Sequence, residues 1–176
     1  MLSSDLPLHP AVVHLPIALT LVMPLIIFIL IVIEKQEMAS LKNWSVALIL
    51  QIVVAASSML ASNLGEKDEE IVERVVSGAW IHLHEEWGEK VVWFSFGVLG
   101  VMILSLLLRR VRFVKFLVLL ASLAAIYPVL QAGKSGGELV YRHGAAQAHI
   151  QAAGSIPSVP VESQPHLNKP SSQDED

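Results

Sequence analysis

The chain carries seven histidines and no cysteine. Any coordination or proton chemistry therefore falls to imidazole and carboxylate, and disulfides, iron–sulfur clusters and thiolate metal sites are removed from consideration. The histidines occur in "LHPAVVHLPIAL" (His9, His14), in "IHLHEEWGE" (His82, His84), in "YRHGAAQAHI" (His143, His149) and at His166. An ionisable group at the mouth of a long apolar run is a functional candidate, because hydrocarbon penalises it. His14, beside Pro16 and just ahead of such a run, is the first candidate. His82 and His84 stand two apart, point to nearly opposite faces of a helix and cannot both serve one ion. We select His84, because Gly88 one turn on removes bulk from its face, as Ala18 does for His14. His9, directly before a helix-starting proline, reads as a cap or an outer group. A single interfacial histidine is also an ordinary surface residue, so the case depends on whether the fold gathers these rings.

The elements that would position them are membrane helices. Of 176 residues, 53% are apolar and only 16% charged, which places the chain in the membrane class. A helix needs roughly 20 apolar residues to cross a hydrocarbon core of about 30 Å. Four segments approach that length, at 11–33, 44–64, 81–108 and 113–130, followed by a segment 131–149 on the same face as the start. The expected fold is all-α: an integral membrane four-helix bundle with a short interfacial helix in "GEKDEEIVERVV" and a disordered polar tail over 150–176. The first run has no basic leader or small-residue cleavage site and is expected to be retained. Lys35 and Lys42, and then "RRVRFVK" (Arg109, Arg110, Arg112, Lys115), fall on one side and the acidic link on the other. The positive-inside rule places both termini, and all histidines but His166, on the periplasmic side of a bacterial plasma membrane. No basic, aromatic-interleaved surface suggests a nucleic-acid partner.

Carboxylates follow the histidines to that side. Glu66, Glu70 and Glu73 share one helical face, and Glu85 adjoins His84. They serve either as a solvated acidic face or as ligands and acceptors for ring N–H groups. Gly136 and Gly137 predict a turn, and Glu138 can pair with Arg142 across one helical turn. Arg142, Lys134 and Arg74 are the cations available to an anionic cofactor group such as a haem propionate.

Taken together, "HPAVVHLPIAL", "GEKDEEIVERV", "HEEWGE" and "GGELVYRHG" resemble a bacterial membrane-protein family known as domain of unknown function 2231. The resemblance covers about Leu8 to Gly144. The matching positions are His9, Pro10, His14, Pro16, Gly65, Glu66, His84, Glu85, Gly136, Gly137, Glu138, Tyr141, Arg142 and His143. It implies a four-span bacterial protein, and a redox or haem-anchoring role has been considered for the family; it implies no characterised reaction.

Three functions follow as expectations. The first is a cytochrome b-like electron carrier, with haem b held by His14 and His84, His143 as substitute, and Tyr141 and Arg142 beside the cofactor. Met59 is a softer alternative ligand. Electrons would pass to a quinol or an external redox protein. The second is a non-haem zinc, iron or copper site built from His14, His84, His143, Glu66, Glu70 and Glu85. The third is a structural or partner-binding subunit in contact with lipid and open to oligomerisation, whose histidines tune assembly with pH. No catalytic residue stands out, which favours a carrier over an enzyme. A transporter is disfavoured, because spans two to four hold almost no ionisable groups.

Overall fold

The computed structural model describes residues 8–35, 41–108, 111–152 and 154. Those residues form seven helices: α1 (His9–Val12), α2 (His14–Lys35), α3 (Leu41–Val72), α4 (Gly78–Leu107), α5 (Arg112–Ala124), α6 (Ile126–Tyr141) and α7 (Ala145–Ala152). Among the described residues there is no strand. Four helical runs are long and apolar enough to cross a membrane, namely His9–Ile33, Lys42–Val72, Gly78–Leu107 and Phe113–Tyr141. The polar tail from 155 on, with His166, lies outside the described residues, as do Arg109 and Arg110.

Two of the helix breaks have one cause. Proline has no N–H to offer the carbonyl four residues back, and its ring crowds that carbonyl. Pro16 stands four residues after Val12, where α1 ends, and Pro128 stands four after Ala124, where α5 ends. The first and fourth spans are therefore each loosened at a single residue, Val13 or Ala125, but both residues keep helical dihedral angles and each span runs on as one helical run. Pro24 lies inside α2 without ending it.

The acidic link is helical, as expected, but it continues α3 instead of forming a separate interfacial helix. The turn expected at Gly136 and Gly137 is absent, since α6 runs through both. The chain turns at Gly144, whose φ of +80° suits a residue without Cβ, and this swings α7 back over α3 and α6.

α3 packs against α2 and α4, α4 against α5 and α6, and α2 against α5, which closes the bundle. At one end the Lys115 ammonium lies 5.5 Å from the centre of the Trp44 ring. The other end holds His9, His14, His82, His84, His143 and His149, so six histidines do converge as the span count required.

The main core comprises Met23, Ile27, Leu30, Trp44, Ala47, Val54, Met102 and Val118 and fills the half nearer the basic end. A smaller cluster of Val72, Val76, Ile81, Leu139 and Ala145 closes the histidine end. Large apolar side chains also cover the outside, with Trp93 and Leu107 about three-quarters exposed, as lipid-facing helices require. Met102→Ala should lower stability by about 2–4 kcal/mol through the cavity it leaves. Leu107→Ala should change it little, and thermal unfolding of both variants in one detergent tests the contrast.

Candidate functional site

At the histidine end, α1, the second half of α3, the first turns of α4 and the second half of α6 bring two imidazoles together. The rings of His9 and His84 stand edge to face, with centroids 6.1 Å apart and planes at 86°. Both residues are half-buried. His9 is carried by α1 at the start of the first span, on the side that packs against α3.

Each ring lies against a glycine. A Cβ built on Gly65 would approach the His9 ring to 3.2 Å, and one on Gly136 would come within 3.0 Å of His84 Cε1. Both distances are tighter than ordinary contact, so an unbranched backbone is what lets the imidazoles approach so closely. Gly136 is thus a packing glycine inside a helix, which is why no turn forms there.

Hydrogen bonds fix the tautomers. His9 Nδ1 is 2.7 Å from the carbonyl oxygen of Ala61, a pure acceptor, so Nδ1 carries the proton. His84 Nδ1 is 2.9 Å from Ser135 Oγ. The Ser135 hydroxyl spends its own proton on the Ala132 carbonyl at 3.1 Å, so it accepts from His84 Nδ1–H. With Nδ1 engaged in each ring, Nε2 is the nitrogen without a hydrogen bond among the described residues, the Ala132 carbonyl also lying close to the His84 ring. A ligating histidine almost always has this arrangement, with one nitrogen free and the other N–H held by a carbonyl or hydroxyl.

The other sequence candidates lie elsewhere. His14 is exposed at the start of α2. It stands five residues after His9, about 140° further round the helix, so the two rings face different ways, and the ring against His84 is that of His9. The cap expected of His9 is not found, because Leu8 occupies that position without a side-chain bond. His143 sits in the turn after α6 and stacks on Trp80, with centroids 4.5 Å apart and planes at 21°. Tyr141 is almost fully exposed. Arg142 is exposed and pairs with Glu138 at 3.4 Å, one turn apart as expected. Glu66 and Glu70 are exposed; the carboxylate that meets Glu85 is Glu69, which also faces Glu73 and His82. His82 itself lies 3.5 Å from Glu86. Among the described residues, no three of His, Asp and Glu are grouped to hold one metal ion. The metal set expected from His14, His84, His143, Glu66, Glu70 and Glu85 is therefore not assembled.

Sequence reasoning missed the role of His9, the Ala61 carbonyl and Ser135. The available signal was the five-residue spacing of His9 and His14, which sets the two rings about 140° apart on one helix.

An alanine in a helix is worth roughly 0.5–1 kcal/mol over glycine. At Gly88, where a new Cβ meets nothing within 4 Å, that gain should appear in full. Gly136→Ala should forfeit it and leave the protein about 1–2 kcal/mol less stable than Gly88→Ala, because the His84 ring must give way. The imidazole nitrogen signals of His84 should move in the first variant and not in the second.

No curated protein and no solved structure matches the chain. Residues 5–149 match the family described as "Predicted membrane protein (DUF2231)", a span that takes in α1 to α6, the first part of α7 and both histidines of the pair. The chain belongs to that family.

Proposed function

We propose that this membrane protein is a b-type haem carrier in which His9 and His84 would hold the haem iron through Nε2. The observation that carries the reading is the pair itself: two imidazoles from facing helices, each held at Nδ1, with centroids 6.1 Å apart. Imidazole nitrogens bind a metal at about 2.0 Å, which sets the ring centroids roughly 5–6 Å apart according to the angle at the metal.

The number of ligands separates haem from a bare ion. A structural zinc site takes four protein ligands and a catalytic one three, whereas haem iron needs two, its remaining positions being filled by the porphyrin. Two imidazoles without a third His, Asp or Glu in reach suit the porphyrin better than the free ion. Lys134, Arg142 and Arg74 lie at the same end of the bundle and supply positive charge for an anionic edge of the cofactor. When bound, haem would supply a one-electron couple. The protein's part is to hold both ring planes, keep Nδ1 protonated and exclude the bulk of a Cβ at Gly65 and Gly136.

We place the protein in a bacterial plasma membrane with the histidine end on the outer side, since Lys42 and Lys115 mark the opposite end. Its electron partner would then be a lipid-soluble quinol or a redox protein docking from that side.

Purification from haem-supplied membranes, followed by a reduced-minus-oxidised spectrum and a metal assay, tests the reading. One six-coordinate b-haem per chain is expected. His9→Ala and His84→Ala should each abolish it, while His14→Ala and His143→Ala should retain it. Absence of a Soret band, or bands that survive loss of either His9 or His84, would overturn the assignment. Stoichiometric zinc, iron or copper without a Soret band would replace it with a non-haem site on the same two nitrogens.

A further inference from the structure

We infer that the histidine half of the bundle encloses a water-entered polar shaft, which ends at a chamber beside Gln51 in the middle of the membrane and is sealed from the basic end by an apolar plug. The ligand of this second site is water, admitted to the bundle centre from one face only. The inference stands whatever His9 and His84 hold.

The chamber lies where four helices each contribute one polar side chain: Thr20 from α2, Gln51 from α3, Ser95 from α4 and Ser122 from α5. The room open to the centre of a water molecule is about 10 Å³, which is one water's worth. Thr20 and Ser95 stand eleven residues along the chain from His9 and His84, roughly 16 Å at 1.5 Å per residue. That depth is about half of a 30 Å hydrocarbon core.

The hydrogen-bond inventory favours a donor arriving from outside. Gln51 Nε2 donates to the Ser95 carbonyl at 2.9 Å. The Ser95 and Ser122 hydroxyls donate to the carbonyls of Val92 and Leu119, at 2.7 and 2.8 Å. Their protons are therefore used, and their oxygens remain as acceptors at the chamber wall. A water molecule supplies the missing donors.

Two observations connect the chamber with the histidine pair. Gln51, Ser58 and Gly65 are spaced by sevens on α3 and share a face, so Ser58 sits between the chamber and the glycine under His9. Ser58 is 3% exposed and its hydroxyl has no hydrogen-bond partner. A buried polar atom of this kind ordinarily has a partner, protein or water. On α4, His84, Gly88 and Ser95 share a face likewise, and a Cβ at Gly88 would meet nothing within 4 Å. Small and hydroxyl residues also help membrane helices to pack, but packing leaves neither an unpartnered hydroxyl nor room for a water.

Below the chamber the character changes. Met23, Ile27, Met102 and Val118 are 0–1% exposed and pack together with Leu30 and Ala47. Ser105 at that level satisfies its hydroxyl on the Met102 carbonyl at 2.7 Å. Met23, Ile27, Met102 and Val118 offer water no hydrogen-bonding group, so the shaft stops there; the other buried unpartnered atom, Trp44 Nε1, lies at the far end of the cluster beside Lys115.

The chain has no cysteine, so any introduced thiol is unique. Ser58→Cys, Ser95→Cys, Met102→Cys and Val118→Cys, each in the full chain and reconstituted in lipid vesicles, are exposed to silver ion. The thiol left unblocked is then alkylated under denaturing conditions and counted by intact mass. Thiols at 58 and 95 should be blocked about tenfold faster than those at 102 and 118, since reaction follows access. Equal rates at all four positions, slow or fast, would overturn the proposal: uniformly slow means a dry bundle, uniformly fast an open one. The unsubstituted protein gives a second reading that needs no variant to fold. In bilayers, the Gln51 side-chain amide should receive magnetisation from water in a solid-state NMR experiment, and a Gln51 amide isolated from water sinks the chamber.

Discussion

The arrangement of the histidine end depends on where one proton goes. The Ser135 hydroxyl gives its hydrogen to the carbonyl of its own helix at Ala132, as serines in apolar helices commonly do because no water is at hand. That donation turns the oxygen into an acceptor, and His84 Nδ1–H fills it. On the far side His9 Nδ1–H meets the Ala61 carbonyl. Both rings are thereby held in one tautomer with Nε2 unspent. If Ser135 donated to His84 instead, Nδ1 would hold the lone pair and the free ring nitrogen would carry hydrogen, useless as a ligand. The chemistry available at this end is thus set by a backbone carbonyl two shells away from it.

Glycine makes that geometry reachable. In a soluble helix Gly136 and Gly137 would count as a weakness, since each loses more backbone entropy than alanine. Here α6 is continuous through both. Helices packed on all sides keep their hydrogen bonds because hydrocarbon offers no substitute, so glycine does not break them. What it does is lower the wall: the His84 ring approaches the α6 backbone to a distance that a Cβ would contest. Gly65 does the same for His9 on α3. The pair sits between two helices that have each been thinned at one place.

The coarse architecture could be read from composition and length, because four runs of hydrophobic residues in lipid admit few other solutions. The side on which the histidines gather followed from the parity of the spans. The failures are local. His14 stands closer to the apolar run than His9, which makes it the natural candidate, but on one helix the two lie about 140° apart, and it is the phase of His9 that faces α3. Glu69, not Glu66 or Glu70, meets Glu85, since α3 continues as one helix and its phase is inherited from the membrane span. Helix phase across such a continuation is set by tertiary packing, and a spacing rule within one segment does not carry it.

The bundle is unequal along its axis. From the histidine pair to Gln51 the interior offers hydroxyls, an amide and an unsatisfied oxygen at Ser58; from Met23 towards Trp44 the buried side chains are mainly apolar, with Trp44 Nε1 unpartnered at the far end. Such a division has an electrostatic consequence. A charge introduced at the pair is stabilised by nearby dipoles that are already oriented, whereas a charge moving past Met102 and Val118 meets no group able to solvate it, and the energy of a bare charge in so apolar a medium is prohibitive. That asymmetry comes from the placing of a few serines, one glutamine and two methionines along otherwise similar apolar helices.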